Sequence, residues 1–395
     1  MRHQSGLQPW WSLLLCSCVF FRSLLNRAKT RTSVLLFYNA EVKTWDVIIV
    51  GGGIIGLSLA IALRKRGAAV LVVERGEPGR EASHAAGGML VDCPLETPPV
   101  LQPLATASAR MYPEFAHELE VESGLKVDLR DRGTILFLAP VHALRNAKFV
   151  ATHSLRAPLD QIEPALAALE NSALYLQERS VDPRALSAAA WKTAKNRGVD
   201  FSSGDPATTL NLSDGHVAGV TTAKTSFPAP KVVNCAGAWS GQLKSPHPIP
   251  TRPVKGQMLC LAMPERELLR LVIRTPEAYL IPRSDGRLLV GATVEEAGFD
   301  KRTDPATIQR LHRAAVKMVP KLADAKILED WAGLRPGTPD ALPILGATPT
   351  PGYFVATGHF RDGILLAPIT AHVMADVIEG RTPEHDLTPF SSSRF

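Results

Sequence analysis

The sequence contains little cysteine: five residues among 395, an odd number without a C-x-x-C pair. This does not support a disulfide framework or a structural zinc site, and it fits a reducing cytoplasm. A membrane-spanning helix is not expected either, because the apolar stretch Trp10–Phe21 has twelve residues and a bilayer needs about 20. No cluster of metal ligands and no pair of carboxylates stands out, so we predict no metal site.

A charge pattern typical of nucleic-acid binding is also missing. The net charge is +6, but residues 1–41 hold five basic side chains and one acidic one, and so contribute +4 of it. The rest of the chain carries only +2 and has no run of Lys and Arg mixed with aromatic residues. We therefore expect no nucleic-acid partner.

What the sequence does contain is the composition of a folded globular protein, with 45% apolar and 21% charged residues. A chain of 395 residues is longer than one hydrophobic core usually serves, which predicts two domains or one elaborate α/β unit. The 29 glycines and 31 prolines predict many tight turns.

Residues 1–41 form an extension with open interpretations. Trp10–Phe21 resembles the apolar part of a signal peptide, but no A-x-A cleavage site follows it. Alternatively the extension is not translated, because Val42 begins VKTWDVIIVGGG just before the first predicted strand. We expect a cytoplasmic protein, and a membrane-peripheral or exported one only if the apolar segment is genuine.

The first chemical motif is WDVIIVGGG at Trp45–Gly53, a run of β-branched residues that ends in glycines. It predicts a buried parallel strand followed by G-x-G-x-x-G at Gly51, Gly53 and Gly56, and then a helix to about Arg66. Such glycines allow a sharp turn, a close approach to a pyrophosphate and tight packing of helix on strand. The motif predicts a dinucleotide site.

Glu74 ends the second predicted strand, 23 positions after Gly51, where a carboxylate binds ribose hydroxyls. The motif does not by itself distinguish FAD from NAD. The following segment, Glu74–Leu90, is rich in small residues and predicts a loop that passes against a flat ring system.

With these motifs, the sequence from about Val42 to Glu379 resembles the D-amino-acid oxidase/sarcosine oxidase family of FAD-dependent oxidoreductases, and within it most closely the glycine oxidases of thiamine biosynthesis. The resemblance implies an α/β fold with a discontinuous Rossmann-like FAD-binding domain (42–100, 170–248 and 330–382). A second, α+β substrate domain (101–169 and 249–329) would contain a mixed or antiparallel sheet.

The resemblance also implies a substrate pocket. Arg335 corresponds to the arginine that binds the substrate carboxylate, Tyr279 to a supporting tyrosine, and Arg361 and Met89 to pocket residues. From the residues alone, Arg335 lies in a glycine-rich turn, where Asp330 or Asp340 is an alternative partner, and Glu277 shares a strand face with Tyr279. Sheet packing for Tyr279 and an ion pair with Asp362 for Arg361 remain alternatives, and the role of Glu277 is open.

The cofactor contacts implied by the glycine motif and the resemblance form a larger set. They are Gly51, Gly53, Ile54, Ile55, Gly56, Glu74, Arg75, Ala82, Ser83, Gly87, Gly88, Met89, Ala207, Ala236, Gly237, His359, Phe360, Arg361, Asp362, Gly363, Ile364 and Leu365. The dipeptide before Arg335 lacks the cysteine that attaches flavin in sarcosine oxidases, so noncovalent FAD is expected.

The implied activity is oxidative deamination of glycine or another small amino acid or secondary amine. The amine would become an imine and then an oxo acid, while O2 becomes H2O2. No residue is predicted as a catalytic acid or base, because the cofactor supplies the redox chemistry. A homo-oligomer and hand-over of the imine to a thiazole-forming enzyme are further expectations. The alternatives are a D-amino-acid dehydrogenase that reduces quinone and a non-catalytic flavin-binding subunit.

Overall fold

The computed structural model contains two large β-sheets, one mostly parallel and the other mostly antiparallel. The structure describes residues 43–139, 142, 145–167 and 172–395, and the extension 1–41 lies outside these residues. Thr44–Phe395 forms one compact unit.

The strands, in chain order, are β1 (Val47–Val50), β2 (Val70–Glu74), β3 (Met89–Leu90), β4 (Leu129–Arg130), β5 (Thr134–Leu138), β6 (Ser172–Leu176), β7 (Arg179–Val181), β8 (Asp200–Ser203), β9 (Ala207–Ser213), β10 (His216–Thr222), β11 (Ser226–Pro228), β12 (Val232–Asn234), β13 (Arg252–Ala262), β14 (Val272–Arg274), β15 (Tyr279–Pro282), β16 (Arg287–Gly291), β17 (Ile327–Gly337), β18 (Ile344–Ala347) and β19 (Tyr353–Thr357). The α-helices are α1 (Ile54–Lys65), α2 (Ala82–Ala85), α3 (Gln102–Ser123), α4 (Ala147–His153), α5 (Leu159–Ile162), α6 (Pro183–Asn196), α7 (Pro305–Met318) and α8 (Gly363–Ile378).

The first sheet has the order β18-β19-β12-β1-β2-β8 and is parallel except for β18. Its strands are short apolar runs because both faces are covered. In β1, Ile49 packs into the core with α1 and α8, whereas its neighbour Ile48 packs on the opposite face with residues of β9 and β10. The predicted unit of strand, helix and strand is therefore present as β1-α1-β2.

The second sheet has the order β17-β13-β16-β15-β14-β5-β6, antiparallel except where β14 pairs with β5. One face packs on α7 through residues such as Leu259 and Val290. The alternate residues of the same strands, including Met258 and Leu289, form a separate cluster with Met89 and Tyr279 on the other face. The mixed sheet agrees with the predicted fold class, while the predicted division into two domains stays a prediction.

Local sequence signals explain several element boundaries. Asp182 caps α6, since its carboxylate accepts a hydrogen bond from the Arg184 backbone N–H at 2.9 Å, and Pro183 occupies the first helical position. A hairpin turn at Asp214-Gly215 joins β9 to β10. Among the described residues, no helix is both long and apolar enough to cross a membrane.

Three local predictions were wrong. Arg335 lies inside β17, paired with Val254 of β13, and not in a turn. Glu277 precedes β15 in a turn, so it does not share a strand face with Tyr279. The segment after Glu74 is not all loop, because Ala82–Ala85 forms one helical turn. In the first two cases, contacts distant in sequence decide where a strand begins and ends.

Candidate active site

A cavity of about 660 Å³ lies between the two large sheets, lined by residues of both. This volume is within the range of ligand and cofactor pockets. Apart from Gly56 and Leu365, every predicted cofactor residue lines it, as do all five predicted substrate residues.

The glycines of the first motif make the turn from β1 into α1. Gly51 has φ +108°, and a Cβ there would lie 2.4 Å from the carbonyl oxygen of Cys235. A Cβ on Gly56 would lie 2.0 Å from the carbonyl oxygen of Gly51, so this glycine serves packing and not contact with a ligand. The turn brings the N-terminus of α1 to the cavity, where it favours an anionic group.

Glu74 is held at the end of β2 by the backbone. Its carboxylate accepts hydrogen bonds from the N–H groups of Gly52 at 2.7 Å and Gly76 at 2.8 Å. Burial raises the pKa of this carboxyl, although both backbone hydrogen bonds oppose the shift. Next to it, the guanidinium carbon of Arg75 lies 4.3 Å from the ring centroid of Trp239. The position predicted to bind the ribose therefore carries a carboxylate of fixed orientation.

The small-residue segment Ala82–Gly88 passes along the cavity and is fixed from behind. Trp331 of β17 donates its indole N–H to the carbonyl of Ala85 at 3.0 Å. Gly88 has φ +76°, and a Cβ there would lie 2.0 Å from the carbonyl oxygen of Val181. Larger residues could not follow this path.

Arg335 reaches the cavity from β17, an edge strand of the second sheet. Its Nη1 donates to the carbonyl oxygens of Thr293 at 3.0 Å and Lys255 at 3.3 Å. Neither Asp330 nor Asp340 lies within ion-pair distance of it in the described structure. Burial lowers the pKa of the guanidinium, whose charge is not matched by a protein carboxylate in contact. An anionic ligand would supply the missing partner.

Tyr279 stands beside Arg335 on the neighbouring part of the sheet. Burial raises the pKa of its phenol, and the nearby guanidinium of Arg335 opposes the rise. Its hydroxyl also lies 3.7 Å from the Sδ of Met258. A Cβ on Gly291 would lie 2.7 Å from the tyrosine oxygen, so this glycine leaves room for the ring.

The segment before α8 brings three titratable side chains to the cavity. Arg361 is exposed, its guanidinium carbon lies 5.6 Å from the ring centroid of Phe360, and no described carboxylate forms an ion pair with it. Burial raises the pKa of Asp362 to about 6, against the charge of Arg361. His359 is buried against Thr370, at 3.1 Å between Nε2 and Oγ1, and burial lowers its pKa to about 3. A neutral, bonded His359 is not placed to act as a base.

The remaining predicted residues lie at the periphery or in packing positions. Glu277 is exposed and accepts a hydrogen bond from Lys317 of α7 at 2.9 Å. Met89 packs in the cluster of Met258 and Tyr279. The carbonyl of Leu365, which faces away from the cavity lining, accepts from Ser108 at 2.6 Å.

Comparison with known proteins identifies the family to which this chain belongs. The family model described as FAD dependent oxidoreductase (DAO) matches residues 46–377. The chain belongs to this family. The α/β fold class and the predicted family are thereby confirmed.

Individual relatives of this FAD-dependent oxidoreductase are similar over most of the chain. The glycine oxidase of Pseudomonas aeruginosa is 35% identical over 363 residues, which cover 87% of this chain and 98% of that protein. The crystal structure of glycine oxidase from Geobacillus kaustophilus has a TM-score of 0.85 and 32% identity, and the match covers 89% of this chain and 99% of that one. The bifunctional protein ThiO/ThiG of Trichormus variabilis is 37% identical over 89% of this chain, which spans only 55% of that relative's length.

The residues present fit the FAD that the family uses. The glycine turn and the N-terminus of α1 suit the pyrophosphate, Glu74 suits the ribose, and the path at Gly87 and Gly88 leaves room for a ring system. The cavity volume of about 660 Å³ lies within the range of pockets that hold small ligands and cofactors.

The sequence did not point to several residues that shape this oxidoreductase site. Gly256, Gly291, Met258 and the buried Arg274 all line the cavity. A signal existed for Gly256, because an isolated glycine inside the strand pattern RPVKGQMLCLA often marks a close approach. A Cβ at this position would lie 2.3 Å from Nη1 of Arg335.

Proposed function

We propose that this chain catalyses the FAD-dependent oxidative deamination of glycine or another small amine that carries a carboxylate, with O2 as the electron acceptor. The observation that carries the proposal is Arg335, a half-buried guanidinium held by main-chain carbonyls at the cavity wall, with no ion-pair carboxylate among the described residues. A planar guanidinium is suited to bind a carboxylate through two hydrogen bonds.

The protein residues act mainly by orientation. Arg335 and Tyr279 hold the carboxylate end of the substrate, and the apolar side chains of Met89 and Met258 limit what fits beside it. When bound, FAD accepts two electrons from the substrate carbon and passes them to O2. The lone pair on the substrate nitrogen favours this oxidation, so no strong base is required. Much of the rate comes from orientation of the substrate by Arg335, which we call the carboxylate clamp.

Replacing the clamp tests the proposal. We expect Arg335→Ala to raise the KM for glycine by about thirtyfold or more, because loss of one member of a desolvated charge pair costs at least about 2 kcal/mol. FAD content, measured from visible absorbance, should be unchanged. Arg252→Ala is the matched control, because Arg252 lies on the same sheet but is half-exposed and paired with Glu296. Unchanged glycine kinetics in Arg335→Ala would refute the clamp.

The substrate range and the acceptor are measured in one assay. Peroxide formation is compared for glycine, sarcosine, D-alanine and D-proline, and we expect the smallest amines to react best. Anaerobic glycine should bleach the yellow colour, and air should restore it. Absence of bleaching with all four amines would instead support a non-catalytic flavin subunit, and bleaching without reoxidation by O2 would support a quinone-dependent dehydrogenase.

A hand-over of the imine to a thiazole-forming enzyme remains part of the proposal. It is supported by the bifunctional ThiO/ThiG relatives, in which a similar chain occupies about half of a longer protein. A cytoplasmic location is supported by Cys93, Cys235 and Cys260, which are buried free thiols. The homo-oligomer stays a prediction.

A further inference from the structure

Arg283 is a cation in the protein interior that the proposed reaction does not use. Its relative exposure is 1%, and its Nη2 donates to the carbonyl oxygen of Gly87 at 2.5 Å. Its Nε and Nη1 have no hydrogen-bond partner in the described structure, and no described carboxylate forms an ion pair with it. The nearest acidic groups are engaged elsewhere: Asp182 pairs with Arg287 at 2.7 Å, and Asp128 accepts from Ser284.

The strand alternation explains why Arg283 lies under this glycine. Tyr279, Ile281 and Arg283 are two residues apart along β15 and its continuation, so their side chains share one face. A Cβ on Gly87 would lie 2.8 Å from Cδ1 of Ile281 and 3.5 Å from Cε2 of Tyr279. One strand face thus carries the substrate-side tyrosine at one end and the cation under the cofactor segment at the other.

The peptide that follows the one held by Arg283 is fixed as well. The carbonyl of Gly88 accepts a hydrogen bond from the Val181 N–H at 2.8 Å, while the carbonyl of Gly87 accepts one from Arg283. Among the described residues, the N–H of Gly88 has no acceptor, and both glycines line the cavity. A hydrogen bond from a cation to a carbonyl polarises the peptide and strengthens its N–H as a donor.

The energetics indicate more than a structural hydrogen bond. A buried cation without a direct partner costs several kcal/mol, whereas a neutral side chain could hold one carbonyl more cheaply. Burial lowers the pKa of Arg283 to about 10, so the side chain keeps its charge at neutral pH. The electrostatic effect of a buried charge on groups nearby is only weakly screened by water and salt.

We propose that Arg283 is a positioning residue for FAD, which fixes the Gly87–Gly88 peptide against the flavin and whose charge favours the reduced, anionic form of the cofactor. The effect does not depend on the proposed amine substrate, and all of its readouts are made without one.

The test compares Arg283→Met with Arg283→Lys in the full chain. Two quantities are measured: the dissociation constant of FAD for the apoprotein, by quenching of flavin fluorescence, and the midpoint potential, by reductive titration with a reference dye. We expect Arg283→Met to bind oxidised FAD at least threefold more weakly. It should bind reduced FAD a further tenfold more weakly, which lowers the two-electron midpoint potential by about 30 mV. Arg283→Lys keeps the charge and one donor, so its potential should stay near that of the wild type.

Arg287→Met is the matched control. Arg287 is a cation of the same hairpin, but it pairs with Asp182 and does not contact Gly87. If Arg283→Met does not fold, Arg283→Gln replaces it, since glutamine keeps a donor but not the charge, and the same fall in potential is expected. The proposal is overturned if the neutral variant keeps the wild-type potential and FAD affinity, or if Arg287→Met shifts the potential as much.

Discussion

At the scale of single residues, the site depends on glycines that leave room for its polar side chains as well as on those side chains themselves. Arg335 crosses over Gly256, and Tyr279 crosses over Gly291, because in each case a Cβ would occupy the space of the polar side chain. Both residues were predicted as substrate residues from the resemblance, but their glycine partners are 79 and 12 positions away and become neighbours only in the folded sheet.

Gly256→Ala should therefore displace the clamp without removing it. The new Cβ would lie 2.3 Å from Nη1 of Arg335, which has to move out of its bonds with the two carbonyls. We expect the KM for glycine to rise about tenfold or more, since misplacing a positioned group is costly, while FAD content is kept. Steady-state kinetics and the visible spectrum measure both. Wild-type kinetics would mean that Arg335 is not held as described.

Asp362 predicts a pH dependence of stability. Its pKa is raised to about 6 by burial, above the unfolded value of about 3.9, so the folded state retains a proton that the unfolded state has lost. Stability from this group is complete below about pH 4 and declines as pH rises to about 6. Asp362→Asn should remove the decline and be more stable than wild type at pH 7.5, by on the order of 2 kcal/mol.

Urea unfolding of the apoprotein at pH 4 and pH 7.5 measures this difference. The charged neighbours are Arg361, which favours the ionised carboxyl, and Glu96, which disfavours it. An equal stability difference between variant and wild type at both pH values would contradict the shifted pKa.

At the scale of elements, a single glutamine ties the segment after β16 to the second sheet. Gln257 of β13 is 1% exposed, donates to the carboxylate of Glu295 at 2.8 Å and accepts from the N–H of Asp304 at 2.7 Å. Immediately before the first anchor, Val294 lines the cavity wall and the carbonyl of Thr293 accepts a hydrogen bond from Arg335.

Gln257→Leu should loosen this segment. The carboxylate of Glu295 and the N–H of Asp304, both partly exposed, each lose a hydrogen bond worth about 1 kcal/mol, so we expect the free energy of unfolding to fall by about 1–2 kcal/mol. The KM for glycine should rise while FAD binding is kept, because the disturbance reaches Arg335 and not the glycine turn. Gln309→Leu, on the exposed face of α7, is the control. If both variants have the same stability, Gln257 does not anchor the segment.

The sequence predicted elements best where the signal is local. The glycine turn into α1 depends on residues within a few positions of each other, and it is present. Arg335 was expected in a turn because Gly333, Pro336 and Gly337 surround it, yet pairing with β13 keeps the segment extended. Arg283 gave no signal, because Gly87, the one side-chain hydrogen-bond partner it has among the described residues, is 196 positions away.

At the scale of the whole molecule, the cavity joins two sheets that have separate cores. We expect removal of FAD to lower the melting temperature, with both sheets unfolding in one transition, because the lining residues come from both. Free FAD at a hundred times its dissociation constant should restore about 2.7 kcal/mol. Differential scanning calorimetry measures this. Two transitions, only one of them shifted by FAD, would show that the sheets unfold independently.

Because main-chain carbonyls anchor Arg335, the site can evolve in one respect more easily than in another. The carbonyl oxygens that hold it are present whatever residue occupies positions 255 and 293, so substitutions of those side chains need not release the guanidinium. Nearby wall residues such as Met89 and Ala292 can therefore vary in size while the carboxylate anchor is retained. Selection for bulkier amines, in nature or in the laboratory, should accumulate at these wall positions and leave Arg335 untouched.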